Sequence, residues 1–377
     1  MGTKKILTKK QRTKRRIILF AIEVLILLFC LLGVFVWQKL NQIERDEEIP
    51  EEELKINELT ATTKEVLKGY TNIAIFGLDN RSNGSLDSGN SDVIMIASIN
   101  NDTNEVKLVS VYRDTYLDTG DGTFRKANAA YNRGGPKMAV AMLNASLDLD
   151  IKNYVSVDFR AVSEAVDLLG GVEITIEPEE VELLNSYTRT TAEVTGKKAN
   201  YISSAGTYVL DGTQATGYAR IRYTAGDDYR RTERQRTVVE QMVKKAKQTD
   251  LATLNNIIDV VCRDIKTNMS NSTILSLAAE AMNYELVDTH GFPFESHAAR
   301  VGTQDAVVPT DLEMNVKELH EYLFDVDDYE TSNIVKAYSR EIINTTGFTR
   351  ASTSRDDNPL DEVGTKDGTE TSVSPQE

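Results

Sequence analysis

The fold is decided by the stretch 72-NIAIFG-77, a short apolar run that ends in glycine. Two more apolar runs follow it along the chain, 93-VIMIASI-99 and 106-VKLVSV-111. Short runs of this composition are typical of buried strands rather than of strands with one solvated face. The three runs therefore predict the central strands of a sheet.

Helical periodicity begins after these strands. Residues 136–147 and 161–169 each place apolar side chains on one helical face, and a further strand is predicted over residues 172–176. Strands that alternate with helices predict an α/β fold, here an α-β-α sandwich with helices on both faces of the sheet. Four more helices are predicted over residues 235–248, 251–263, 273–282 and 312–324. A polar surface insertion is predicted over residues 177–206.

Charge is segregated along the chain. The 377 residues include 43 basic and 58 acidic ones, a net charge of −15. Residues 1–16 hold eight basic residues and no acid, which leaves 35 basic and 58 acidic residues, a net charge of −23, for the rest. An acidic body argues against a general nucleic-acid binder, which is normally basic.

The segment between the basic head and the acidic body predicts a membrane anchor. Residues 17–37 read IILFAIEVLILLFCLLGVFVW, with Glu23 as the single charged residue. As a helix this segment would be about 31 Å long, the thickness of one hydrocarbon core. It lacks the small-residue pattern of a signal-peptide cleavage site, and Trp37 suits a membrane interface. Because the basic residues should stay cytoplasmic, everything after the span is expected outside the cell membrane.

The predicted organisation follows from these shifts in composition. We expect six successive parts: a cytoplasmic basic tail (1–16), a transmembrane helix (17–37), an acidic extracellular spacer (38–68), a catalytic core (69–248), a C-terminal α/β continuation (249–345) and a disordered tail (346–377).

Arginines are concentrated in the segment 218-YARIRYTAGDDYRRTERQR-236. Arginine grips phosphate or carboxylate oxygens through a planar fork and is desolvated more cheaply than lysine. Arg220 and Arg222 would share one face of an extended segment, and Arg231, Arg234 and Gln235 would share one face of a helix. The alternative is a solvated helix surface with ordinary salt bridges, and the run by itself leaves both open.

Acids and further cations stand at the ends of the predicted strands. Asp79 follows the first strand and Asp92 opens the second, and acids at such positions suit Mg²⁺, which takes one or two protein carboxylates. Each Asp alone is more often a turn or capping residue. An Arg113-Asp114 pair follows the third strand, and Lys126 precedes the first predicted helix. This combination favours a phosphate site over a structural surface.

The motifs FGLDN, SDVIMIASIN, LVSVYRDT, KANAAY, VDLLGGVEI, LDGTQATGYARIR and DDYRRTERQR resemble, in order and spacing, those of the LytR-CpsA-Psr family. The resemblance covers roughly residues 70–245. It implies a mixed sheet between helices, and transfer of a glycopolymer from a polyprenyl pyrophosphate carrier to the cell wall outside the membrane. It also implies assistance by Mg²⁺, or by Mn²⁺, and an apolar pocket for the lipid tail.

The resemblance also assigns roles by motif. It implies that Asp79 and Asp92 are metal-associated acids and that the pyrophosphate is bound by four arginines, Arg113, Arg220, Arg222 and Arg231. It also implies that Lys126 and Gln235 are further site residues and that Asp228 is the acid of an Asp-x-Gly-Arg motif. Two positions depart from the family pattern. Asn90 stands where an Arg commonly precedes Ser-Asp, with Arg81 as the candidate replacement, and Arg230 stands where the second motif has Gly.

The predicted reaction is attack by a peptidoglycan hydroxyl on the sugar-side phosphorus of the carrier, with polyprenyl phosphate as the leaving group. Asp114 and Asp92 are both candidates for the base. Apolar residues over 139–174 could wall a lipid pocket, although ordinary core is the commoner role for such residues. A pyrophosphatase that uses water as acceptor needs the same site, and a non-catalytic, membrane-anchored lipid- or wall-binding regulator is the alternative of a different class. The glycopolymer, whether capsule, teichoic acid or another, stays unnamed.

Overall fold

The computed structural model describes residues 34, 36–78, 85–222 and 227–349. Its strands are β1 (Glu44–Arg45), β2 (Tyr70–Leu78), β3 (Ser91–Asn100), β4 (Glu105–Val111), β5 (Tyr116–Asp118), β6 (Phe124–Lys126), β7 (Asn153–Asp158), β8 (Val172–Ile176), β9 (Gly206–Leu210), β10 (Ile265–Thr267), β11 (Glu285–Phe292), β12 (Ser296–Val301) and β13 (Gln304–Pro309). Its helices are α1 (Ala61–Lys68), α2 (Asn128–Leu147), α3 (Phe159–Leu168), α4 (Glu180–Thr195), α5 (Gly212–Tyr218), α6 (Asp227–Ala246), α7 (Leu251–Val261), α8 (Asn271–Glu280), α9 (Leu312–Phe324) and α10 (Asn333–Thr346).

A seven-stranded mixed sheet forms the centre of the molecule, in the order β1-β10-β7-β2-β3-β4-β11. The three strands predicted from the apolar runs are β2, β3 and β4, and they lie side by side in antiparallel register. β7 and β11 join this group in parallel, on either side. The predicted α/β class with a central sheet and helices is therefore confirmed.

One face of the sheet, which we call the closed face, is tightly packed. Phe76 faces Ile94 across the β2–β3 pair, and Ala74 faces Ile96. All four side chains are buried with almost no solvent exposure, in one cluster with residues of α2, α9 and α10. Since alternate residues of a strand point to opposite faces, this cluster accounts for only half of each strand.

The other face, which we call the open face, is packed less completely. Ile73, Ile99 and Met269 form a small buried cluster there, with partly buried residues from α8. Ile75 and Val93 are only half-buried, and no residue of α8 is fully buried. The open face therefore has a loose covering where the closed face has a continuous core.

The predicted helices are present, with shifted bounds. The helix expected over 136–147 belongs to α2, which begins earlier at Asn128 and is kinked at Gly134 and Gly135. Gly135 has a positive φ of 65°, which favours glycine because it has no Cβ. The helix expected over 312–324 has those bounds in α9, and the one expected from residue 235 starts eight residues sooner in α6.

The segment expected to be a spacer packs on the body instead. Glu44 and Asp46 place carboxylate oxygens 3.2 and 3.0 Å from the ammonium of Lys266 in the neighbouring strand β10. Apolar side chains in the same segment, Ile49 and Leu54, are buried in the main core. Two of the acids that suggested a solvated spacer therefore pair with this buried lysine, which needs carboxylate partners.

The predicted surface insertion is also part of the fold. Residues 180–195 form helix α4, and Leu184 packs with β8, β9, α5 and α6 in a second apolar cluster. Asp211 begins α5 with a reciprocal capping box, in which Gln214 bonds back to the Asp211 backbone. The sequence analysis missed the buried side of α4 because the outer side of this helix is polar.

The described residues contain no helix that is both long enough and apolar enough to span a membrane. Of the predicted span over 17–37, residues 34, 36 and 37 fall within the described part of the chain, and the cytoplasmic tail (1–16) lies outside it. Most of the predicted C-terminal tail, residues 350–377, also lies outside the described residues.

Candidate functional site

Polar side chains from three strand ends meet at one edge of the sheet. β3 and β4 are antiparallel, so the start of β3, with Asp92, lies beside the end of β4, after which Arg113 and Asp114 follow. Arg113 donates a hydrogen bond of 2.7 Å from Nη1 to Asp92 Oδ1. Lys126, the last residue of β6, places Nζ 3.3 Å from Asp114 Oδ1. The topology therefore joins residues that are up to 34 positions apart.

Helix α6 supplies the opposite wall. Asp228, Arg231 and Gln235 are three and four residues apart, so they lie on one helical face. Arg231 Nη2 lies 2.8 Å from Asp228 Oδ1, and Nε of Arg113 lies 4.0 Å from the same oxygen. Nη2 of Arg222, from the turn before the helix, lies 3.8 Å away. Asp228 is thus the common counter-ion of three arginines.

Arg220 is held from another side. Its Nη1 donates a hydrogen bond of 2.8 Å to Thr191 Oγ1 of α4. Its guanidinium carbon lies 5.7 Å from the ring centroids of both Phe159 and Tyr187, within the range of a cation–π contact. The prediction that the chain around Arg220 is extended is wrong, because residues 219–222 form an irregular turn after α5.

These side chains enclose a pocket of about 130 Å³. It is lined by Asp92, Arg113, Phe159, Tyr187, Ala219, Arg220, Arg222, Arg231 and Gln235. Its volume equals roughly four water molecules in the liquid. That space suits a phosphate group, whereas a lipid or sugar attached to it would extend outside the pocket.

Arg231 has donors that the described residues leave unused. The residue is only 3% exposed, yet its Nε and Nη2 have no hydrogen-bond partner among those residues. The 2.8 Å approach of Nη2 to Asp228 is an ion pair without hydrogen-bond geometry. Burial lowers the pKa of Arg231, and the charge of Asp228 opposes that shift. Buried donors without partners are costly, so this arrangement favours an anionic ligand.

Two neighbouring carboxyl groups, those of Asp114 and Asp228, have pKa values shifted in opposite directions. Burial, followed by a hydrogen bond with Asp114, raises the pKa of Asp228. Burial alone would also raise the pKa of Asp114, but the hydrogen bond with Asp228 and the charges of Arg113 and Lys126 outweigh it and lower that pKa. Of the two, Asp114 is therefore the stronger acid.

The LytR_cpsA_psr family matches residues 34–321, about three quarters of the chain. The chain belongs to the LytR-CpsA-Psr family. The family resemblance predicted from the motifs is thus confirmed, and the match extends well beyond residues 70–245 to include the segment before β2 and the helix α9.

Two relatives carry the name polyisoprenyl-teichoic acid–peptidoglycan teichoic acid transferase TagU. The one from Enterococcus faecalis is 30% identical over 211 residues, which are 55% of this chain and 64% of that protein. The one from Bacillus cereus is 25% identical over 303 residues, 78% of this chain and 93% of that protein. The match therefore spans less than two thirds of the first relative and most of the second. Both names agree with the enzyme class that the sequence predicted.

Solved structures of the family share the fold. The protein gbs0355 from Streptococcus agalactiae aligns with a TM-score of 0.59 at 22% identity, covering 73% of this chain and 94% of that one. The family protein YwtF (TagT) of Bacillus subtilis, with bound octaprenyl pyrophosphate lipid, aligns with a TM-score of 0.50 at 18% identity, covering 74% and 98%. These likenesses establish the mixed α/β fold.

Most residues assigned through the family motifs come together. Asp92, Arg113, Arg220, Arg222, Arg231 and Gln235 line the pocket, and Lys126, Asp114 and Asp228 lie directly behind it. Asp79 and Arg81 lie outside the described residues. Phe159, Tyr187 and Thr191 were missed, because aromatic and hydroxyl residues on helices give no signal that separates a pocket wall from ordinary core or surface.

Other residues of the arginine-rich segment have structural roles. Arg234 is buried and donates from Nε to Glu180 Oε1 at 2.7 Å, so it joins α6 to α4. Arg230, which departs from the family pattern, bonds Glu233 at 3.1 Å on the outer side of the helix and is not among the pocket residues. Asn90, the other departure, is exposed. Neither Asn90 nor Arg230 is among the residues that line the pocket.

Few protein side chains are needed to bind a divalent cation. Within the described ranges, no group of three or more His, Cys, Asp or Glu side chains is arranged to hold a metal ion. Mg²⁺ needs only one or two protein carboxylates, since water and phosphate oxygens complete its shell. Asp92 lines the pocket and is such a carboxylate. The donor set therefore fits Mg²⁺, with Asp79 as the second predicted ligand.

Within the segment 139–174, considered for a lipid wall, the residues of α2 belong to the closed-face core instead, whereas Val157 is half-buried on the open face. Val140, Met142, Leu143 and Leu147 of α2 have no solvent exposure and pack against the sheet. The half-buried residues of the open face are better placed. Val93 directly follows Asp92 in β3, and Val157 lies two residues before Phe159, so both are next to pocket residues along the chain.

Proposed function

We propose that this protein transfers an anionic glycopolymer, of the teichoic acid or capsule type, from a polyprenyl pyrophosphate carrier to peptidoglycan. The observation that carries the proposal is the pocket with the unused, buried donors of Arg231. The names of the TagU relatives and the lipid bound in YwtF (TagT) support the same donor and acceptor.

The pocket residues account for binding of the pyrophosphate. Two phosphates bring two or more negative charges, which Arg113, Arg220, Arg222 and Arg231 can neutralise from different sides of the pocket. Fixed cations in a site with little water stabilise the charge that builds on the departing phosphate more strongly than mobile ions in water. Because Arg113 and Arg220 are already held by Asp92 and Thr191, little reorganisation is needed on binding.

Mg²⁺ is part of the proposal, held by Asp79 and Asp92. When bound, it would polarise a phosphoryl oxygen and offset charge on the leaving group. The chain's own candidates for the base are Asp92, which lines the pocket, and Asp114, whose pKa is lowered. We assign to one of these two groups the acceptance of the proton that leaves the attacking peptidoglycan hydroxyl.

The lipid tail is proposed to lie along the open face. Ile75, Val93 and Val157 form a half-buried apolar surface on three neighbouring strands that leads to the pocket. Gly77 lies between Val157 and Val93 in register, and a Cβ there would come 2.8 Å from Val93. Glycine therefore allows Val93 to lean across the strand towards the pocket end of this surface.

We also propose that the chain is anchored by residues 17–37 in the cell membrane, with its N-terminus in the cytoplasm and the catalytic domain outside. A lipid-linked donor diffuses in the membrane, so a tethered enzyme meets it at high effective concentration. The peptidoglycan acceptor is on the same outer side.

The deciding experiment follows a lipid-linked glycopolymer incubated with the full-length protein in vesicles, with and without peptidoglycan and with and without Mg²⁺. Transfer predicts polymer on peptidoglycan; a pyrophosphatase would release polymer when no acceptor is present; a binding protein would leave the donor unchanged. The variants Asp79→Ala, Asp92→Ala and Arg113→Ala should each lose transfer, while the outward-facing Arg230→Ala should keep it. Full transfer by a folded Asp79→Ala variant would contradict the metal assignment.

A further inference from the structure

Helix α7 is apolar but almost uncovered. Seven of its eleven residues, LATLNNIIDVV, are aliphatic or Ala. Leu254, Ile257 and Val261 are only half-buried, and Ile258 is 48% exposed. A helix that is apolar on most sides is normally buried in a core or in contact with lipid. Within the described residues, part of this helix is therefore exposed, although its apolar composition is typical of a covered helix.

The chain that follows the predicted membrane span is fixed to this same helix. Lys39 forms an ion pair with Asp259 of α7. Just beyond the helix, Arg263 Nε donates to Gln42 Oε1 at 3.3 Å, and Arg45 of β1 pairs with Thr267 of β10. Trp37, the last residue of the apolar stretch, is 59% exposed and lies two residues before Lys39. The exit point from a membrane is thus held next to Ile258, the neighbour of Asp259.

Charge around α7 is opposite to that of the body. Residues 244–264 contain four basic and three acidic residues, in a chain whose net charge after residue 16 is −23. Two of the three acids are already paired, Asp259 with Lys39 and Asp264 with Arg160. Helices that lie in a membrane interface combine an exposed apolar side with flanking basic residues, which attract anionic lipid headgroups. Lys244 and Lys247, both exposed, precede α7, and Arg263 follows it.

We propose that α7 is a membrane-docking helix, with Ile258 and its neighbours inserted in the outer surface of an anionic bilayer. This inference rests on the proposed membrane anchoring. A second copy of the chain would bury the same residues, but it would not explain why the segment leaving the membrane is attached to α7 by Lys39, Gln42 and Arg45. The bilayer explains the exposed apolar side, the basic flanks and the attachment together.

The docking helix also relates the membrane to the pocket. α7 packs against α3, and Arg160 of α3 forms an ion pair of 2.9 Å with Asp264, just after α7. The first residue of α3 is Phe159, which lines the pocket. With α7 on the bilayer, the pocket is separated from the lipid headgroups by a single helix layer. A pyrophosphate that stays attached to a membrane-embedded prenyl chain could then reach it.

The test uses the one tryptophan of the chain as a starting point. Trp37→Phe is combined either with Ile258→Trp or with Val209→Trp, a matched control at a 58% exposed valine in strand β9. The full-length proteins are placed in nanodiscs of phosphatidylglycerol and phosphatidylcholine, whose acyl chains are brominated in half of the samples. We expect bromine to reduce the Ile258→Trp emission about two-fold or more, because interfacial helices bury their apolar face at the acyl boundary. Val209→Trp should be unaffected.

Equal emission of Ile258→Trp in brominated and plain lipid would overturn the proposal. If that emission is blue-shifted and depends on the number of copies per disc, a second copy covers the helix; if it is red-shifted and quenched by aqueous iodide, water does. Trp37 of the unsubstituted chain reports the anchoring on which the inference rests. Polymer transfer is measured separately, so a chain that docks but transfers nothing refutes the proposed function and leaves the docking helix intact.

Discussion

The two faces of the central sheet are built from the same strands and are packed very differently. Phe76 and Ile94, on the closed face, have essentially no solvent exposure, whereas Ile75 and Val93, the next residues along, are half-buried on the open face. The composition of the two faces is similar, so hydrophobicity alone does not explain the contrast. The covering layer does: α2, α9 and α10 bury many residues, and α8 buries none.

This difference indicates that the two faces of the sheet have different roles. A fully packed face contributes most of the apolar burial that stabilises the fold. A face that leaves aliphatic side chains half-covered costs stability, and it is retained where a ligand or lipid can complete it. Val93 of the open face is adjacent in β3 to Asp92 of the arginine pocket, which is consistent with an amphiphilic ligand whose charged and apolar parts occupy the two regions.

The largest effect should follow from truncating the closed face. Phe76→Ala removes a buried ring that contacts Tyr131 and Tyr154, and we expect a loss of about 3–5 kcal/mol in the free energy of unfolding. Ile75→Ala, at the adjacent residue on the open face, should cost only about 1–2 kcal/mol because part of its surface is already solvated. Urea unfolding of both variants in detergent measures the difference. Equal losses would show that the faces do not differ.

At the pocket, the next largest effect is on activity. Arg231→Lys keeps the charge but removes the planar fork and its unused donors, so transfer should fall by about 10²–10³-fold, as for loss of one transition-state donor. Arg230→Lys, at the neighbouring residue with its side chain outside the pocket, is the matched control and should retain transfer. Polymer bound to peptidoglycan is measured for both at equal protein. If Arg231→Lys transfers as well as the unsubstituted chain, its donors do not bind the ligand.

The closed face should also make stability depend on pH, through His320. This side chain is fully buried, stacks on Tyr329 at 3.7 Å and bonds the Leu147 carbonyl. Burial lowers its pKa from 6.5 to about 4. The unfolded chain therefore binds a proton that the folded chain does not, and stability is lost as the pH falls from about 6.5 towards 4.

Between pH 7 and pH 5 this residue alone should reduce the free energy of unfolding by about 2 kcal/mol. His320→Phe keeps the ring stack and removes the titration, so its unfolding free energy should change less between the two pH values. Urea titrations at pH 7 and pH 5 compare the two proteins. An identical pH dependence would mean that His320 does not control it.

The sequence was sufficient to predict three of the seven strands of the central sheet and most of the pocket. The apolar runs predicted β2, β3 and β4, and the motifs predicted Asp92, Arg113, Arg231 and Gln235 as site residues, which line the pocket together. A local pattern could not predict how each face is covered, because half-buried and buried aliphatic residues look alike in a sequence. Contacts between distant residues could not be predicted for the same reason, since no local pattern shows that the acids of residues 44–46 face Lys266.

The smallest effect should be the most specific to the open face. Ile75→Phe adds bulk to a half-buried position, so the free energy of unfolding should change by no more than about 1 kcal/mol, less than in a filled core. If the prenyl chain lies against this residue, the KM for a long-chain polyprenyl donor should rise about five-fold, which corresponds to roughly 1 kcal/mol of lost binding. The KM for a donor with a short prenyl chain, which ends before the added ring, should stay the same. Equal changes for both donors would place the effect in the pyrophosphate pocket and remove the lipid from the open face.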